Sequence, residues 1–299
     1  MGGIIVMFEN HCKRYVNIIN DALEKFLPKI SGPHKRVRDA MRYSMMGGGK
    51  RIRPMLTLSV CEMLGSDAKK AIPFACAVEF VHVGSLIHDD LPCMDDDDLR
   101  RGKPSCHIEY DYTTAVLAGD AFFLSAFEVI TKAREEGISY EDIYKACNIL
   151  SKRSAVDGMI GGQVIDIYTK KETVEEDIVE LMHIYKTSAL IQAASVLGGI
   201  AAHAKSDKLK KLDEYGKFLG LAFQACDDIL DVSGKEEILG KPIGSDKEKG
   251  KINNITVFGL EGTKQIANKF TNLALNTLES FDNNQFLVEL TKSLLYRNH

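Results

Sequence analysis

Six aspartates crowd into ten residues at Asp89-Asp90-Leu91-Pro92-Cys93-Met94-Asp95-Asp96-Asp97-Asp98, and Arg100, Arg101 and Lys103 follow at once. Adjacent ionised carboxylates repel one another, so a fold tolerates such a cluster where water or a cation neutralises it. Carboxylate oxygens are hard ligands that suit Mg²⁺. That ion takes one or two carboxylates, keeps several waters and completes its shell with substrate phosphates. The basic residues alongside would hold the rest of such an anion. An acidic run is more often a solvated loop or a tail. Here it closes the stretch 75–88, which is nearly all apolar or small, and a buried helix that delivers its last turn into carboxylates is not a tail. A calcium loop would need an Asp-x-Asp-x-Asp-Gly frame with a terminal Glu, which is absent.

A second acidic cluster, Gln224-Ala225-Cys226-Asp227-Asp228-Ile229-Leu230-Asp231, ends the apolar stretch 215–223. At 3.6 residues per turn, Asp227, Asp228 and Asp231 fall within an arc of about 100° and face one point. Carboxylates seldom gather at the end of an apolar helix without a function, because burying them unpaired is costly. Two such helices read as two walls of one cavity that share metal ions.

This pair resembles the two aspartate-rich motifs of the trans-polyprenyl diphosphate synthases, Asp-Asp-x-x-x-x-Asp in the bacterial and plant form and Asp-Asp-x-x-Asp. The resemblance runs along nearly the whole chain. It includes Gly48-Gly49-Lys50-Arg51-Ile52-Arg53-Pro54, His82, Arg100-Arg101-Gly102-Lys103-Pro104, Gly161-Gly162-Gln163 with Asp166, Lys186-Thr187, Gln224 and Leu239-Gly240-Lys241. Each is weak alone, and together in this order they are specific. The chain departs from the family after Gly250-Lys251, where Asn253-Asn254-Ile255 replaces a frequent Thr-aromatic-Pro.

The resemblance implies an all-α, single-domain helical bundle around a deep central cavity and a head-to-tail prenyl transfer. An allylic diphosphate (dimethylallyl, geranyl or farnesyl) loses pyrophosphate, isopentenyl diphosphate attacks the resulting cation, and a proton leaves. It also implies about three Mg²⁺ ions, with Asp89 and Asp95 holding two and Asp227 the third. Asp90, Asp228 and Asp231 would act one shell out or through water. Arg100, Lys186 and Lys241 match positions that hold the allylic diphosphate. Thr187 and Gln224 match neighbours whose dipoles stabilise the cation. Isopentenyl diphosphate would bind at Gly49, Lys50, Arg53, His82 and Arg101, where glycines expose backbone amides and the cations supply charge. His82 lies seven residues before Asp89, on nearly the same helix face and about 10 Å along it. Gln163 and Asp166, three apart on one helix face, would hold metal-bound waters or simply be satisfied in the core.

Product length has its own signature. Farnesyl-producing bacterial relatives resemble each other in having an aromatic five residues before the first aspartate, as a floor. That position is Gly84 here, followed by Ser85, which favours geranylgeranyl diphosphate. Phe122, Phe123 and Phe127 offer a floor from the next helix, with farnesyl diphosphate as the product. A class I terpene cyclase shares the ionisation step but usually lacks the Gly-Gly-Lys-x-x-x-Pro site. A non-catalytic partner subunit would carry degenerate aspartates, and both motifs are intact.

Composition agrees with a globular protein. The 299 residues are 45% hydrophobic and 27% charged. A net charge of −4 excludes a general nucleic-acid binder. Seven scattered cysteines without Cys-x-x-Cys read as reduced thiols of a cytoplasmic protein. Residues 1–8 are too short and lack the basic start of a signal sequence. No stretch reads as approaching the roughly 20 apolar residues of a membrane span, so no stable membrane insertion is anticipated. The family is commonly homodimeric.

The apolar spacing predicts helices from Val16 to a stop at Pro28 and over 35–46, 54–64, 67–88, 112–133, 139–157, 174–185, 188–204 and 209–231. Lys247–Asn254 reads as a polar loop, and two helices follow it. Pro92 should break the first-motif helix near Leu91. On a straight helix Asp95 would lie about 240° from Asp89, so the chain must turn to bring the pair together.

Overall fold

The computed structural model describes residues 2–169, 176–233 and 252–295. Among them the chain is almost wholly helical. The helices are α1 (Gly2–Phe26), α2 (Lys35–Met46), α3 (Ile52–Met63), α4 (Ile72–Asp89), α5 (Cys106–Glu109), α6 (Tyr112–Thr131), α7 (Tyr140–Ser154), α8 (Met159–Tyr168), α9 (Glu176–His183), α10 (Ala189–Ala201), α11 (Ser206–Ser233), α12 (Asn254–Leu278) and α13 (Gln285–Leu295). The all-α expectation holds, with one small exception that the helical pattern gave no hint of. Leu99–Arg100 and Lys103–Pro104 pair antiparallel as a two-residue hairpin. Its turn, Arg101-Gly102, has positive φ at both residues, 55° and 73°, as the tightest hairpin turns require.

The core is built around α10. All its residues, from Ala189 to Ala201, are buried, and it packs on α3, α4, α7 and α11. A helix that is apolar all round belongs inside a bundle. Helix α4 is nearly as deep, with Phe74, Phe80 and Val78 fully enclosed. It lies along α6, where Phe80 and Phe122 meet edge to face at 5.3 Å. Two stretches do reach the length and mean hydropathy of a membrane span, Ala68–Asp89 and Tyr112–Arg134, each with a hydropathy of 1.5. This corrects the expectation that none would. The first is 72% buried inside the bundle, so its apolarity serves the core; the second packs on it but is 44% buried, and Leu117 and Leu124 of α6 are exposed.

Short residues set how closely the helices approach around Lys186. Between α9 and α10 the chain makes a π-helical turn, Ile184–Ser188, in place of the expected break between two helices. Such turns insert one extra residue into a helix and are frequent at functional sites. A Cβ on Gly162 of α8 would sit 2.1 Å from the Lys186 backbone nitrogen, and one on Gly220 of α11 would sit 2.5 Å from Ser188 Cα. Glycine at both places lets α8 and α11 press on the same π turn from two sides. The side chains next to those glycines, Gln163 and Asp166 on α8 and Gln224 and Asp228 on α11, are thereby brought to one turn of chain.

Several boundaries differ from the sequence reading, most of all at α1, which begins at Gly2 rather than near Val16. Gln163 and Asp166 lie on a helix of their own, α8. Asn254 is no part of a loop but opens α12. Asn253 caps that helix by accepting from the Thr256 backbone N–H at 3.0 Å, while the Thr256 hydroxyl takes the Asn253 N–H, a reciprocal capping box.

Candidate active site

Helix α4 ends at Asp89, and the chain then folds back on itself. The Asp95 N–H donates to the Asp89 carbonyl at 2.8 Å, and the Asp97 N–H to the Asp90 carbonyl at 3.2 Å. The required turn is therefore present, and it places Asp95 against the end of the helix that carries Asp89. Asp89 itself is half-buried and accepts from Gln163 Nε2 at 2.5 Å. Asp90 points the other way. It is 2% exposed and gripped through both oxygens by Arg100, which also reaches Asp97. Burial raises the Asp90 carboxyl, and Arg100 offsets part of that rise. Arg100, matched by the family pattern to the allylic diphosphate, is thus committed to carboxylates here.

The π turn bridges the two acidic clusters. Lys186 is ion-paired with Asp166. Burial lowers its ammonium, but Asp166, Asp89 and Asp95 more than compensate, leaving it raised. Lys186 therefore feels Asp89 and Asp95 of the first cluster. Next to it, Thr187 Oγ1 donates to Gln224 Oε1 at 2.7 Å, and Gln224 Nε2 donates to Asp228 Oδ1 at 2.9 Å. A single turn of chain touches the first cluster with one residue and the second with the next.

Asp227 is half-buried, while Asp228 and Asp231 are each 2% exposed. The oxygen-only donor set suits a hard cation. No three His, Cys, Asp or Glu side chains converge on one point among the described residues. An ion that draws the rest of its shell from water and diphosphate oxygens fits this better than one that needs a full protein cage.

A separate pocket of cations lies beside α4. Arg101, presented by the hairpin turn, donates to the Gly48 carbonyl and lies flat on Gly49, where a Cβ would come within 2.7 Å of its Cζ. Arg53 Nη1 stands 3.4 Å from His82 Nε2, and Arg53 Nε is buried with no hydrogen-bond partner in the protein. Burial lowers Arg53 and Arg101, and their cationic neighbours lower them further against the pull of Glu79. His82 is pushed well below 6.5 by burial and then by Arg53, Arg101, Arg100 and Arg51. Cations that depress one another around an orphaned donor form a site short of negative charge, which a diphosphate supplies. Asp227 also acts on Arg53, so the pocket adjoins the second cluster. Lys50 is exposed at its rim.

The pocket rests on a pair that sequence reasoning missed. Arg51 and Glu79 are joined at 2.8 Å with both side chains 2% exposed. Arg51 also donates to the Met45 carbonyl at 2.6 Å and to Asn20 Oδ1 at 3.1 Å. Glu79 sits three residues before His82 on the same face of α4, and a lone acid in an apolar helix was the available signal. Lys241, with Leu239 and Gly240, and Lys251 lie outside the described residues.

His82 has a testable consequence. Its folded value lies below that of an unfolded histidine, so the unfolded chain takes up the proton first as pH falls. The stability associated with a neutral His82 is complete above about pH 6.5 and is lost below it. Buried His183 is lowered in the same sense. His82→Gln is expected to flatten the decline of Tm between about pH 6.5 and 5, leaving the part that belongs to His183 and the carboxylates. Parallel Tm–pH curves for the two proteins would contradict this.

The polyprenyl synthetase family model matches residues 34–290. The chain belongs to the polyprenyl synthetase family. It is a prenyltransferase. The synthetase is 39% identical over 288 residues to the large subunit 1 of a heterodimeric geranylgeranyl pyrophosphate synthase from Arabidopsis thaliana, a chloroplastic protein, covering 94% of this chain and 77% of that one. Among solved structures it superposes on a farnesyl/geranylfarnesyl (FPP/GFPP) synthase from Zymomonas mobilis with a TM-score of 0.85 at 32% identity, covering 97% and 99% of the two chains. It also superposes on a geranyltransferase from Helicobacter pylori, solved with magnesium and isoprenyl diphosphate, with a TM-score of 0.82 at 31% identity and coverage of 98% and 96%.

Proposed function

We propose that the synthetase condenses isopentenyl diphosphate with short allylic diphosphates, giving geranylgeranyl and farnesyl diphosphate, with Mg²⁺ held between the two aspartate clusters. The observation that carries this reading is the π turn at Lys186-Thr187, which touches both clusters, beside a distinct cation pocket. Two diphosphates need two anion sites that adjoin at the reacting carbons. The relatives are named for geranylgeranyl and farnesyl-type products.

Asp89, Asp95 and Asp227 would hold Mg²⁺, which when bound supplies Lewis-acid neutralisation of the departing pyrophosphate. Lys186 adds a fixed positive charge on the same side. Thr187 donates its proton to Gln224, so its oxygen lone pairs remain for a cation. Arg53, Arg101 and neutral His82 hold the second diphosphate with its double bond facing the allyl group.

Product length is assigned to the α4–α6 contact. Gly84 has no open space beside it. A Cβ there would lie 2.9 Å from Phe122 Cβ and 3.2 Å from the Gly119 carbonyl oxygen, so a tyrosine would displace α6 rather than fill a gap. Ser85 bonds back to the His82 carbonyl at 2.8 Å. Phe123 is half-buried, with its ring edge-on to His88 at 5.5 Å, one residue before Asp89. Phe123 is the floor that these contacts favour. Chromatography of the chains made with excess isopentenyl diphosphate tests this. With Phe123 as the floor the fifteen-carbon product is expected to predominate over the twenty-carbon one in the wild type, with longer chains from Phe123→Ala. An unchanged distribution in that variant would place the floor elsewhere, and no condensation by the wild type would refute the function.

A further inference from the structure

Asp228 has no free oxygen to give. Its Oδ1 accepts from Gln224 Nε2 at 2.9 Å, and its Oδ2 accepts from both the Asn254 backbone N–H at 2.9 Å and Asn254 Nδ2 at 2.7 Å. Asn254 is 4% exposed. Its amide also faces His183 Nδ1 at 3.3 Å. Burial lowers His183, which favours the neutral ring, and an NH₂ group facing Nδ1 requires that nitrogen to accept, with the proton on Nε2. Both amide hydrogens of Asn254 are thus used, one on Asp228 and one on His183. We propose that Asn254, which stands where the family often has an aromatic residue, is a positioning residue: it holds Asp228 and thereby fixes which end of the Gln224 amide faces Thr187.

The consequence lies in the direction of the hydrogen bonds. With its NH₂ group committed to Asp228, Gln224 turns its carbonyl oxygen to Thr187 and takes the hydroxyl proton at 2.7 Å. The Thr187 oxygen then offers lone pairs to a developing cation. If Asp228 loses the Asn254 side-chain donor, the backbone N–H alone holds Oδ2, the carboxylate is free to turn about that one bond, and the Gln224 amide is freed to flip. Its NH₂ group would then donate to Thr187, occupy one of the two hydroxyl lone pairs and turn a positive N–H dipole toward the place where the cation develops. Asn254 touches no reacting atom. It acts from the first turn of α12, capped by Asn253, through three side chains in series. A buried polar network of this kind is effective only when every member is satisfied.

This inference rests on the assignment of the second aspartate cluster to Mg²⁺ and the allylic diphosphate, and the test separates the two. Asn254→Leu keeps the size and removes the two side-chain donors, leaving Asp228 only the backbone N–H at this position, while Asn254→Ser keeps a short side-chain donor. Steady-state kinetics with isopentenyl and geranyl diphosphates are paired with calorimetric titration of Mg²⁺ into each full-length protein in inorganic pyrophosphate. Loss of such an outer-shell partner typically costs 10- to 100-fold, so Asn254→Leu is expected to lower kcat by about that factor and weaken Mg²⁺–pyrophosphate binding about tenfold. The KM for isopentenyl diphosphate should stay within about twofold, and Asn254→Ser should recover most of the loss. Asn254→Leu combined with Gln224→Ala should be no worse than the poorer single variant, because both act on one chain of contacts. Should Asn254→Leu not fold, Asn254→Ala, smaller and likewise without side-chain donors, carries the same expectation. Wild-type kcat and Mg²⁺ affinity in the Leu variant would overturn the proposal alone. A wild type that binds no Mg²⁺–pyrophosphate would overturn the reading of the cluster beneath it.

Discussion

Asp89→Ala and Asp227→Ala are each expected to lower the turnover of the synthetase by about 10³-fold or more while leaving the helical fold intact. A metal ion at a departing diphosphate contributes several kcal/mol to the transition state, and each 1.36 kcal/mol is a factor of ten. Asp89 and Asp227 are both half-buried and stand near the ends of apolar helices, so truncation opens no cavity in the core. The Asp89 side chain receives Gln163, and its loss also frees that amide. The measurement is pyrophosphate release at saturating substrates and Mg²⁺, with circular dichroism as the check on folding. Near-normal turnover in either variant would remove the basis of the two-wall mechanism.

Glu79→Ala is expected to be the most destabilising single truncation outside the hydrophobic core. It strands the Arg51 guanidinium, 2% exposed, with its carboxylate partner gone. Breaking one side of a buried pair costs about 3–5 kcal/mol, since a desolvated charge is left uncompensated. Arg51 also stands at φ 52°, a region that non-glycine residues rarely occupy. Its bonds to Met45 and Asn20 hold it there. Once that anchorage loosens, the Gly-rich loop next to it is expected to shift, and the KM for isopentenyl diphosphate to rise. Replacing the pair together, Arg51→Met with Glu79→Leu, should restore much of the stability but not the KM, because apolar pairs of similar volume are often as stable as the ions they replace. Urea denaturation reads the first effect and initial rates the second. A cost below about 1 kcal/mol for Glu79→Ala would show that water reaches the pair.

Much of this architecture is legible in the sequence. The apolar spacing in α4, α6 and α10 needs only local periodicity, and the helices form where that pattern places them. The break after Asp89 follows from Pro92. The hairpin at Arg100–Lys103 was missed because two residues per strand leave no alternation to read, and only Gly102 marks its turn. The π turn at Ile184–Ser188 is set by two distant glycines, Gly162 and Gly220, whose effect exists only once α8 and α11 are packed. The Arg51–Glu79 pair and the Asn254–Asp228 contact join residues 28 and 26 positions apart. Neither pairing leaves a trace in local spacing. Asn253-Asn254-Ile255 was visible as a departure from a pattern, but the carboxylate that receives Asn254 was not.

The central claim is that the two aspartate clusters hold Mg²⁺ and a diphosphate between them. Equilibrium dialysis of Mg²⁺ against the protein in saturating inorganic pyrophosphate tests it most directly. The wild type is expected to bind about three ions per chain, Asp227→Ala about two and Asp89→Ala about one, with weak binding in all three proteins when pyrophosphate is omitted. Equal Mg²⁺ binding by all three proteins, or binding that does not depend on pyrophosphate, would contradict it.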